Sequence, residues 1–304
     1  MKAFFVFSGQ GAQAVGMGKD LYDACPQAKA IFDRADDILG YSLKEVCFEG
    51  PAEKLTETRY CQVAIYTMSC AALEAFRAKF PAVAPVCCAG LSLGEYAALY
   101  AGGAFSFENG LKLLAQRAAF MDEDCKATDG TMAPVMGAEM ALIEEICANH
   151  DIDIANYNSP AQTVISGERA KVEAAAAEFK ARGVRKVIVL NVAGAFHSRL
   201  MKPASEKLAA VLADAELAVP QVPVFHNFTG KPAASADELR ANLAGQVAGS
   251  VRWEACARAA VAMGADTMIE FGPGNVLTGL MQRTVPEVAR VNINSLETLN
   301  AFTI

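Results

Sequence analysis

The sequence has only three histidines and one tryptophan, and its nine cysteines form no Cys-x-x-C pair. Without such a pair, neither a zinc site nor a redox dithiol is indicated. Lysine and arginine are scattered and the net charge is −7, which argues against a nucleic-acid partner. No run approaches the roughly 18 apolar residues of a membrane span, and the apolar run Ala3–Phe7 is too short for an export signal. We therefore expect a cytoplasmic protein that binds no metal, membrane or nucleic acid.

Hydrophobic residues are abundant, at 53% of the chain, and support a large buried core. Short apolar runs alternate with helical patterns, which favours a parallel sheet covered on both faces. The predicted strands are Ala3–Phe7, Val86–Ala89, Val187–Leu190, Val222–Phe225 and Thr267–Phe271. The predicted helices include Leu21–Leu39, Gln62–Lys79, Phe107–Asp124, Leu200–Leu212 and Trp253–Met263. We predict an α/β-hydrolase-like domain around this parallel sheet.

Residues 131–190 follow a different order, strand–helix–strand–strand–helix–strand, which is typical of a ferredoxin-like module. The segments are Thr131–Met136, Ala141–Asn149, Ile152–Tyr157, Thr163–Ser166, Ala170–Arg182 and Val184–Leu190. Turns near 126–130 and 191–195 are plausible junctions. We predict a small domain over residues 127–192, inserted into a large domain formed by residues 1–126 and 193–304.

A candidate nucleophile lies in Gly90-Leu91-Ser92-Leu93-Gly94, which matches the pattern G-x-S-x-G. The pattern follows a predicted strand and opens a helical segment. A strand-to-helix turn this tight holds the serine in a strained conformation, and glycines leave room around it. The helix N-terminus would then direct positive charge toward the hydroxyl. The alternative is a chance match in a glycine-containing loop.

A serine nucleophile needs a base, and the candidates are His150, His197 and His226. His150 lies near the end of a predicted helix, where a structural role is expected. We interpret His226 as a surface or strand-end residue after a short strand. His197 lies in a loop between a strand and a helix, where α/β proteins often place their chemistry. The sequence favours His197, without excluding the other two.

Several motifs together resemble one family, the malonyl-CoA:acyl carrier protein transacylases and the acyltransferase domains of fatty-acid and polyketide synthases. They occur in the order typical of the family and span most of the chain. The motifs are Phe7-Ser8-Gly9-Gln10-Gly11-Ala12-Gln13, Gly90-Leu91-Ser92-Leu93-Gly94-Glu95-Tyr96, Gln116-Arg117, Asn156-Tyr157-Asn158-Ser159-Pro160, Gly194-Ala195-Phe196-His197-Ser198, Leu200-Met201-Lys202-Pro203 and Glu270-Phe271-Gly272-Pro273-Gly274.

The resemblance implies a role for each matched residue. Ser92 would be the acylated nucleophile and His197 its base. The backbone N–H groups of Gln10 and Leu93 would form the oxyanion hole. The histidine would be oriented by a backbone carbonyl, which in this sequence belongs to Gln246. The resemblance also implies malonyl-CoA and a phosphopantetheinylated acyl carrier protein as substrates, with no bound cofactor.

Arg117 would bind the free carboxylate of the malonyl group. The sequence partly supports this role, because Arg117 lies at the edge of the apolar stripe of its predicted helix. A guanidinium drawn toward the core needs an anion, and its planar fork suits a carboxylate. The alternative is an arginine that extends to solvent. Gln62 and Asn158 match substrate-binding positions of the family without independent support.

Three residues depart from the family pattern: Ser8 and Leu91 stand where proline and histidine are common, and Arg199 follows His197-Ser198 where proline is frequent. None of them removes a group with an implied catalytic role. The favoured function is therefore malonyl transfer in fatty-acid biosynthesis. The alternatives are an acyltransferase for polyketide synthesis, a serine esterase or thioesterase, and a non-catalytic protein that binds acyl groups.

Overall fold

The computed structural model describes all 304 residues and contains two separate sheets. The nine strands are β1 Ala3–Phe7, β2 Pro85–Gly90, β3 Gly130–Met136, β4 Asp153–Ser159, β5 Gln162–Glu168, β6 Lys186–Val187, β7 Val224–Phe225, β8 Thr267–Phe271 and β9 Ala289–Ile293. One sheet has the order β7-β2-β1-β8-β9, and all of its pairings are parallel. The prediction of a mixed α/β fold with a parallel sheet is confirmed.

Helices cover both faces of the parallel sheet. The fourteen helices are α1 Lys19–Ala24, α2 Pro26–Leu39, α3 Leu43–Phe48, α4 Ala52–Thr56, α5 Thr58–Lys79, α6 Gly94–Ala101, α7 Phe107–Ala127, α8 Met140–Asn149, α9 Arg169–Ala181, α10 Lys202–Ala213, α11 Ala236–Ala248, α12 Trp253–Ala262, α13 Val276–Thr284 and α14 Leu296–Ala301. In β1, Phe5 packs against Phe76 of α5, whereas Phe4 packs against Trp253 of α12. Successive strand residues point to opposite faces, so burial on both faces explains why β1 is apolar throughout.

The second sheet is antiparallel and has the order β4-β5-β3-β6. Helices α8 and α9 supply Ile143, Val172 and Phe179 to an apolar cluster with its strands. The element order and strand order are those of a ferredoxin-like module. Its strands lie within residues 130–187, and all strands of the parallel sheet lie outside that range. The exact domain boundaries remain a prediction.

Several predicted elements differ from the structure. The strand predicted over Val222–Phe225 is reduced to β7. The helix predicted over Leu21–Leu39 is two helices, because Cys25 before Pro26 adopts an extended conformation. The strand predicted over Val184–Leu190 in the small module, and over Val187–Leu190 for the parallel sheet, is reduced to β6 and lies in the antiparallel sheet. Its partner β3 contains Pro134, which has no N–H to donate, so the ladder is interrupted there.

All nine cysteines are free, and eight of them are buried. Burial raises the pKa of Cys87 and of Cys125 to about 12, so both thiols stay protonated and unreactive at neutral pH. No cluster of three or more His, Cys, Asp or Glu side chains is placed to hold a metal ion. None of the helices combines the length and the hydropathy that a membrane crossing requires.

Candidate active site

Ser92 lies on a sharp turn between the end of β2 and the start of α6. Its φ angle is 54°, in the left-handed region that a serine rarely adopts. The flanking glycines are required sterically: a Cβ on Gly90 would lie 2.0 Å from the carbonyl carbon of Gly94, and one on Gly94 would lie 2.3 Å from the carbonyl oxygen of Phe7. This geometry is the strand–turn–helix elbow expected from the sequence.

His197 is in contact with Ser92. Its Nε2 lies 2.7 Å from Oγ of Ser92, and its Nδ1 lies 2.8 Å from the carbonyl oxygen of Gln246 in α11. A carbonyl oxygen only accepts, so Nδ1 carries the proton and Nε2 is left to accept the serine proton. The predicted contact between His197 and the Gln246 carbonyl is therefore present in the structure, although the loop holding His197 is separated from α11 by the whole of α10.

His197 is poised as a neutral base. Burial and, secondarily, the nearby positive charge of Arg117 lower the pKa of His197 from 6.5 to about 4. A histidine that is already protonated cannot accept the proton of a serine. The lowered pKa thus keeps the whole population of His197 competent at neutral and mildly acidic pH.

The lowered pKa leads to a pH prediction. If Ser92 is the acylated nucleophile and His197 its base, as the family resemblance implies, the rate of Ser92 acylation should stay on its plateau down to about pH 5, and fall to half near pH 4, because protonation of His197 removes the base. The rate is measured by rapid quenching and intact mass after brief exposure to malonyl-CoA, with circular dichroism at each pH to verify folding. A midpoint at the ordinary histidine value of 6.5 would contradict the assignment.

Arg117, in α7, is almost fully buried beside the nucleophile. Its Nη2 lies 3.0 Å from Oγ of Ser92 and 2.9 Å from Oε1 of Gln246, and its Nη1 donates to Oε1 of Gln62. Burial lowers the pKa of Arg117, and the charge of Glu95, which Gln246 separates from the guanidinium, opposes this effect without a direct contact. Its Nε is buried without a hydrogen-bond partner. A buried cation with an unused donor calls for an anionic ligand, so the solvent-exposed alternative for Arg117 is wrong.

The two backbone N–H groups predicted to form the oxyanion hole have no hydrogen-bond acceptor within the protein. Neither backbone N–H, of Gln10 or of Leu93, donates a hydrogen bond within the protein. The loop that carries Gln10 packs tightly on the elbow, since a Cβ on Gly9 would lie 2.7 Å from the carbonyl oxygen of Leu91. Oγ of Ser8 anchors the same loop by donating to the carbonyl oxygen of Pro273, 2.9 Å away. Two unused N–H groups on the loop and on the elbow that it packs against suit the oxyanion hole implied by the family resemblance, which remains a prediction.

Two further predicted binding residues differ in position. Gln62, in α5, contacts Arg117 and is fully buried. Asn158, in β4, makes no hydrogen bond to Ser92, His197 or Arg117, and its Nδ2 donates to Gln162 instead. A substrate contact by Asn158 therefore remains a prediction from the resemblance alone.

Sequence reasoning missed a buried polar network beneath the elbow. His226, interpreted above as a surface or strand-end residue, is fully buried, and its Nδ1 lies 2.7 Å from Oε1 of Glu95. Asn227 accepts the backbone N–H of Ser92 through Oδ1 at 2.6 Å. One feature of the sequence indicated this network: Glu95 is a charged residue followed directly by an apolar helical segment, so its carboxylate was a candidate for burial. Another was that His226 and Asn227 directly follow the predicted strand Val222–Phe225, at the carboxyl end where α/β proteins place their sites.

Comparisons with known proteins agree with the motifs. A family model described as "Acyl transferase domain" matches residues 4–299. The malonyl CoA-acyl carrier protein transacylase of Bacillus subtilis (strain 168) is 39% identical, with 98% of this chain and 95% of the relative covered. The polyketide biosynthesis malonyl CoA-acyl carrier protein transacylase of the same organism is 40% identical, and the match covers 92% of this chain and 96% of the relative.

A solved structure of an acyl carrier protein S-malonyltransferase is also similar to this chain in sequence and fold. The crystal structure of an acyl carrier protein S-malonyltransferase from Vibrio cholerae is 36% identical, covers 99% of each chain and has a TM-score of 0.94. The resemblance drawn from the motifs is thereby confirmed. With a family match over nearly its whole length and an elbow serine in contact with a histidine, this chain belongs to the acyltransferase family and is an enzyme of that class.

Proposed function

We propose that this enzyme transfers the malonyl group from malonyl-CoA to the phosphopantetheine thiol of acyl carrier protein, through a malonyl ester on Ser92. The observation that carries the proposal is the buried guanidinium of Arg117, 3.0 Å from the Ser92 hydroxyl. In a malonyl ester the carboxylate carbon is one methylene, about 2.5 Å, from the ester carbonyl carbon. An anion attached to Ser92 in this way lies within reach of Arg117.

The first half-reaction forms the acyl-enzyme. Nε2 of His197 takes the hydroxyl proton as Oγ of Ser92 attacks the thioester carbonyl. The N–H groups of Gln10 and Leu93 hold the resulting oxyanion, and each such donor is typically worth about 3 kcal/mol. The carbon–sulfur bond then breaks, and coenzyme A leaves with the proton from His197. The charge of Arg117 also favours the developing negative charge on Oγ.

The second half-reaction reverses these roles. The thiol of the carrier protein's phosphopantetheine gives its proton to His197 and attacks the ester carbonyl of malonyl-Ser92. A second oxyanion forms in the same hole. Its collapse breaks the bond to Oγ, and His197 returns the proton to the serine. The reaction needs two acyl carriers and no further cofactor, and the serine is regenerated.

Arg117 separates this function from simple ester hydrolysis. An esterase or thioesterase for neutral acyl groups gains nothing from a buried cation against its nucleophile, and would bear the cost of burying that cation. A carboxylated acyl group supplies the missing anion. We propose fatty-acid biosynthesis as the destination of the malonyl group. Polyketide synthesis is the second candidate, because a polyketide-pathway relative is as similar to this chain as the other transacylase.

We infer a division of labour between the two predicted domains. We propose that residues 1–126 and 193–304 form an α/β-hydrolase-like catalytic domain, since they hold both Ser92 and His197. The segment 127–192 is proposed as the small domain that walls the cleft. Its strand β3 approaches the histidine loop closely, because a Cβ on Gly130 would lie 2.5 Å from the backbone nitrogen of Ala195.

Incubation with malonyl-CoA tests the proposal directly. We expect intact mass spectrometry to find one malonyl group per chain, and peptide mapping to place it on the peptide that contains Ser92. The Ser92→Ala variant should form no adduct, and addition of phosphopantetheinylated carrier protein should discharge the wild-type adduct. An adduct on a cysteine, or one that persists in Ser92→Ala, would refute the proposed function.

A further inference from the structure

Glu95 is a fully buried carboxylate that contacts no lysine or arginine. Burying such a charge is costly unless hydrogen bonds satisfy it. Three donors do so, each at 2.7 Å: the backbone N–H of Asn227, Nε2 of Gln246 and Nδ1 of His226. Two of these three residues go on to contact the groups of the proposed reaction.

The first branch leads to the nucleophile. Asn227, held by Glu95 through its backbone, accepts the N–H of Ser92 through Oδ1 at 2.6 Å. Its Nδ2 donates to the carbonyl oxygen of Gly90 at 2.8 Å. These two bonds fix the peptide units before and after Leu91, where the backbone turns into the strained conformation of Ser92.

The second branch leads to the arginine and the base. Nε2 of Gln246 donates to Glu95 at 2.7 Å and to the carbonyl oxygen of Ser92 at 3.1 Å, so its Oε1 points the other way, where it accepts from Arg117 at 2.9 Å. Rotating this amide by 180° would set two donors against each other at Arg117 and two acceptors at Glu95. The backbone carbonyl of the same Gln246 orients His197.

We propose that Glu95 is a positioning residue for the acyl-transfer site, and that it acts by fixing Asn227 under Ser92 and by setting the amide orientation of Gln246. His226 fixes the other carboxylate oxygen and so holds the rotamer of Glu95. Glu95 touches neither the acyl group nor the reacting atoms. This inference rests on the proposed role of Ser92 as nucleophile.

The decisive variants are Glu95→Ala and Glu95→Gln, assayed by the acylation rate per acylatable site. That quantity is the single-turnover rate with malonyl-CoA divided by the fraction of chains that take up malonyl at saturation, so unfolded protein does not enter it. Glu95→Ala removes one hydrogen bond from the backbone of Asn227 and one from the amide of Gln246, which keeps its bond to the carbonyl oxygen of Ser92. We expect the rate per site to fall about 100-fold. We also expect a smaller preference for malonyl-CoA over acetyl-CoA, since Gln246, the partner of Arg117, loses the shorter of the two hydrogen bonds that orient its amide.

Glu95→Gln is the conservative variant. Its side-chain oxygen is able to face Asn227 and Gln246, while its amide group donates to His226. That arrangement requires the His226 ring to carry its proton on Nε2, which has no partner in the structure and is free to take it. We therefore expect Glu95→Gln to keep the rate per site within about threefold of wild type.

Glu270 provides a matched control. It is also a fully buried carboxylate, and it accepts from the backbone N–H groups of Leu277 and Thr278 at the start of α13. Glu270→Ala should lower the melting temperature and leave both the rate per site and the malonyl preference unchanged. A purely structural role for Glu95 would give Glu95→Ala this same profile, and that result would overturn the proposal.

The remaining outcomes are also decisive. If Glu95→Ala does not fold, Glu95→Gln is compared with the double variant Glu95→Gln/His226→Leu, in which the amide group has no acceptor. The double variant should lose rate per site, and a double variant equal to Glu95→Gln would overturn the proposal. A Glu95→Gln variant as slow as Glu95→Ala would also overturn it. Absence of a Ser92 adduct in the wild-type enzyme would instead refute the proposed function.

Discussion

Replacing His197 with alanine is expected to lower the rate of Ser92 acylation by malonyl-CoA about 10³-fold, within the usual range for a general base. Nε2 of His197, 2.7 Å from Oγ, is the only neutral base in contact with the serine. Without it, the hydroxyl must attack while it is still protonated. Rapid-quench intact mass spectrometry measures the rate, and the final extent of acylation verifies that the site is still assembled.

His150 supplies the control for this variant. It ends helix α8 and its Nε2 lies 2.7 Å from Oε2 of Glu178, in the antiparallel-sheet module. His150→Ala should change the melting temperature at most and leave acylation near the wild-type rate. A His197→Ala enzyme that acylates at a near-normal rate would show that another group removes the serine proton, and the proposed mechanism would then fail.

Replacing Arg117 with alanine should reduce the preference for malonyl-CoA over acetyl-CoA by about 100-fold or more. Two charge-assisted hydrogen bonds to the malonyl carboxylate are lost, at about 1.5–3 kcal/mol each. Acetyl-CoA has no carboxylate, so in the wild-type site it leaves the buried guanidinium without an anion. Malonyl transfer should therefore fall steeply while acetyl transfer holds or rises.

The quantity to measure is the ratio of the two specificity constants, because general damage to the site cancels in that ratio. Arg117→Lys is the informative companion. It keeps the charge and loses the planar fork that reaches both Gln62 and Ser92, so its ratio should lie between those of wild type and Arg117→Ala. An unchanged ratio in a folded Arg117→Ala protein would remove the main physical support for malonyl as the substrate.

Much of this site could be predicted where the controlling interactions are local in the chain. The conformation of Ser92 is set by glycines two residues away on each side, which permit a close approach that any Cβ would block. Likewise, β1 was predictable because a run of apolar residues suits a strand buried on both faces. The βαββαβ order of the small module follows from the succession of periodic segments.

The family resemblance extended this local reading to residues far apart in sequence. It paired Ser92 with His197, 105 positions away, and named Gln246 as the residue whose carbonyl would orient the histidine; the structure shows both contacts. Spacing and periodicity alone predicted neither the pairing of Ser92 with His197 nor the contact of the histidine with Gln246. They left three histidines as candidates and treated the exposed form of Arg117 as a competing interpretation.

Only the tertiary structure decided how the buried polar groups satisfy one another. His226 follows a two-residue strand and resembles a surface residue in sequence, yet it meets Glu95 across 131 positions, because β7 pairs with the strand that carries the elbow. Asn158, in contrast, matches a family motif and bonds only within its own hairpin. The sequence by itself determined the strained turn at Ser92 and the apolar strand runs of the core. Which donor meets which acceptor depends on how the sheets and helices pack, since a hydrogen bond requires contact within about 3 Å and the chain pattern carries no such distance.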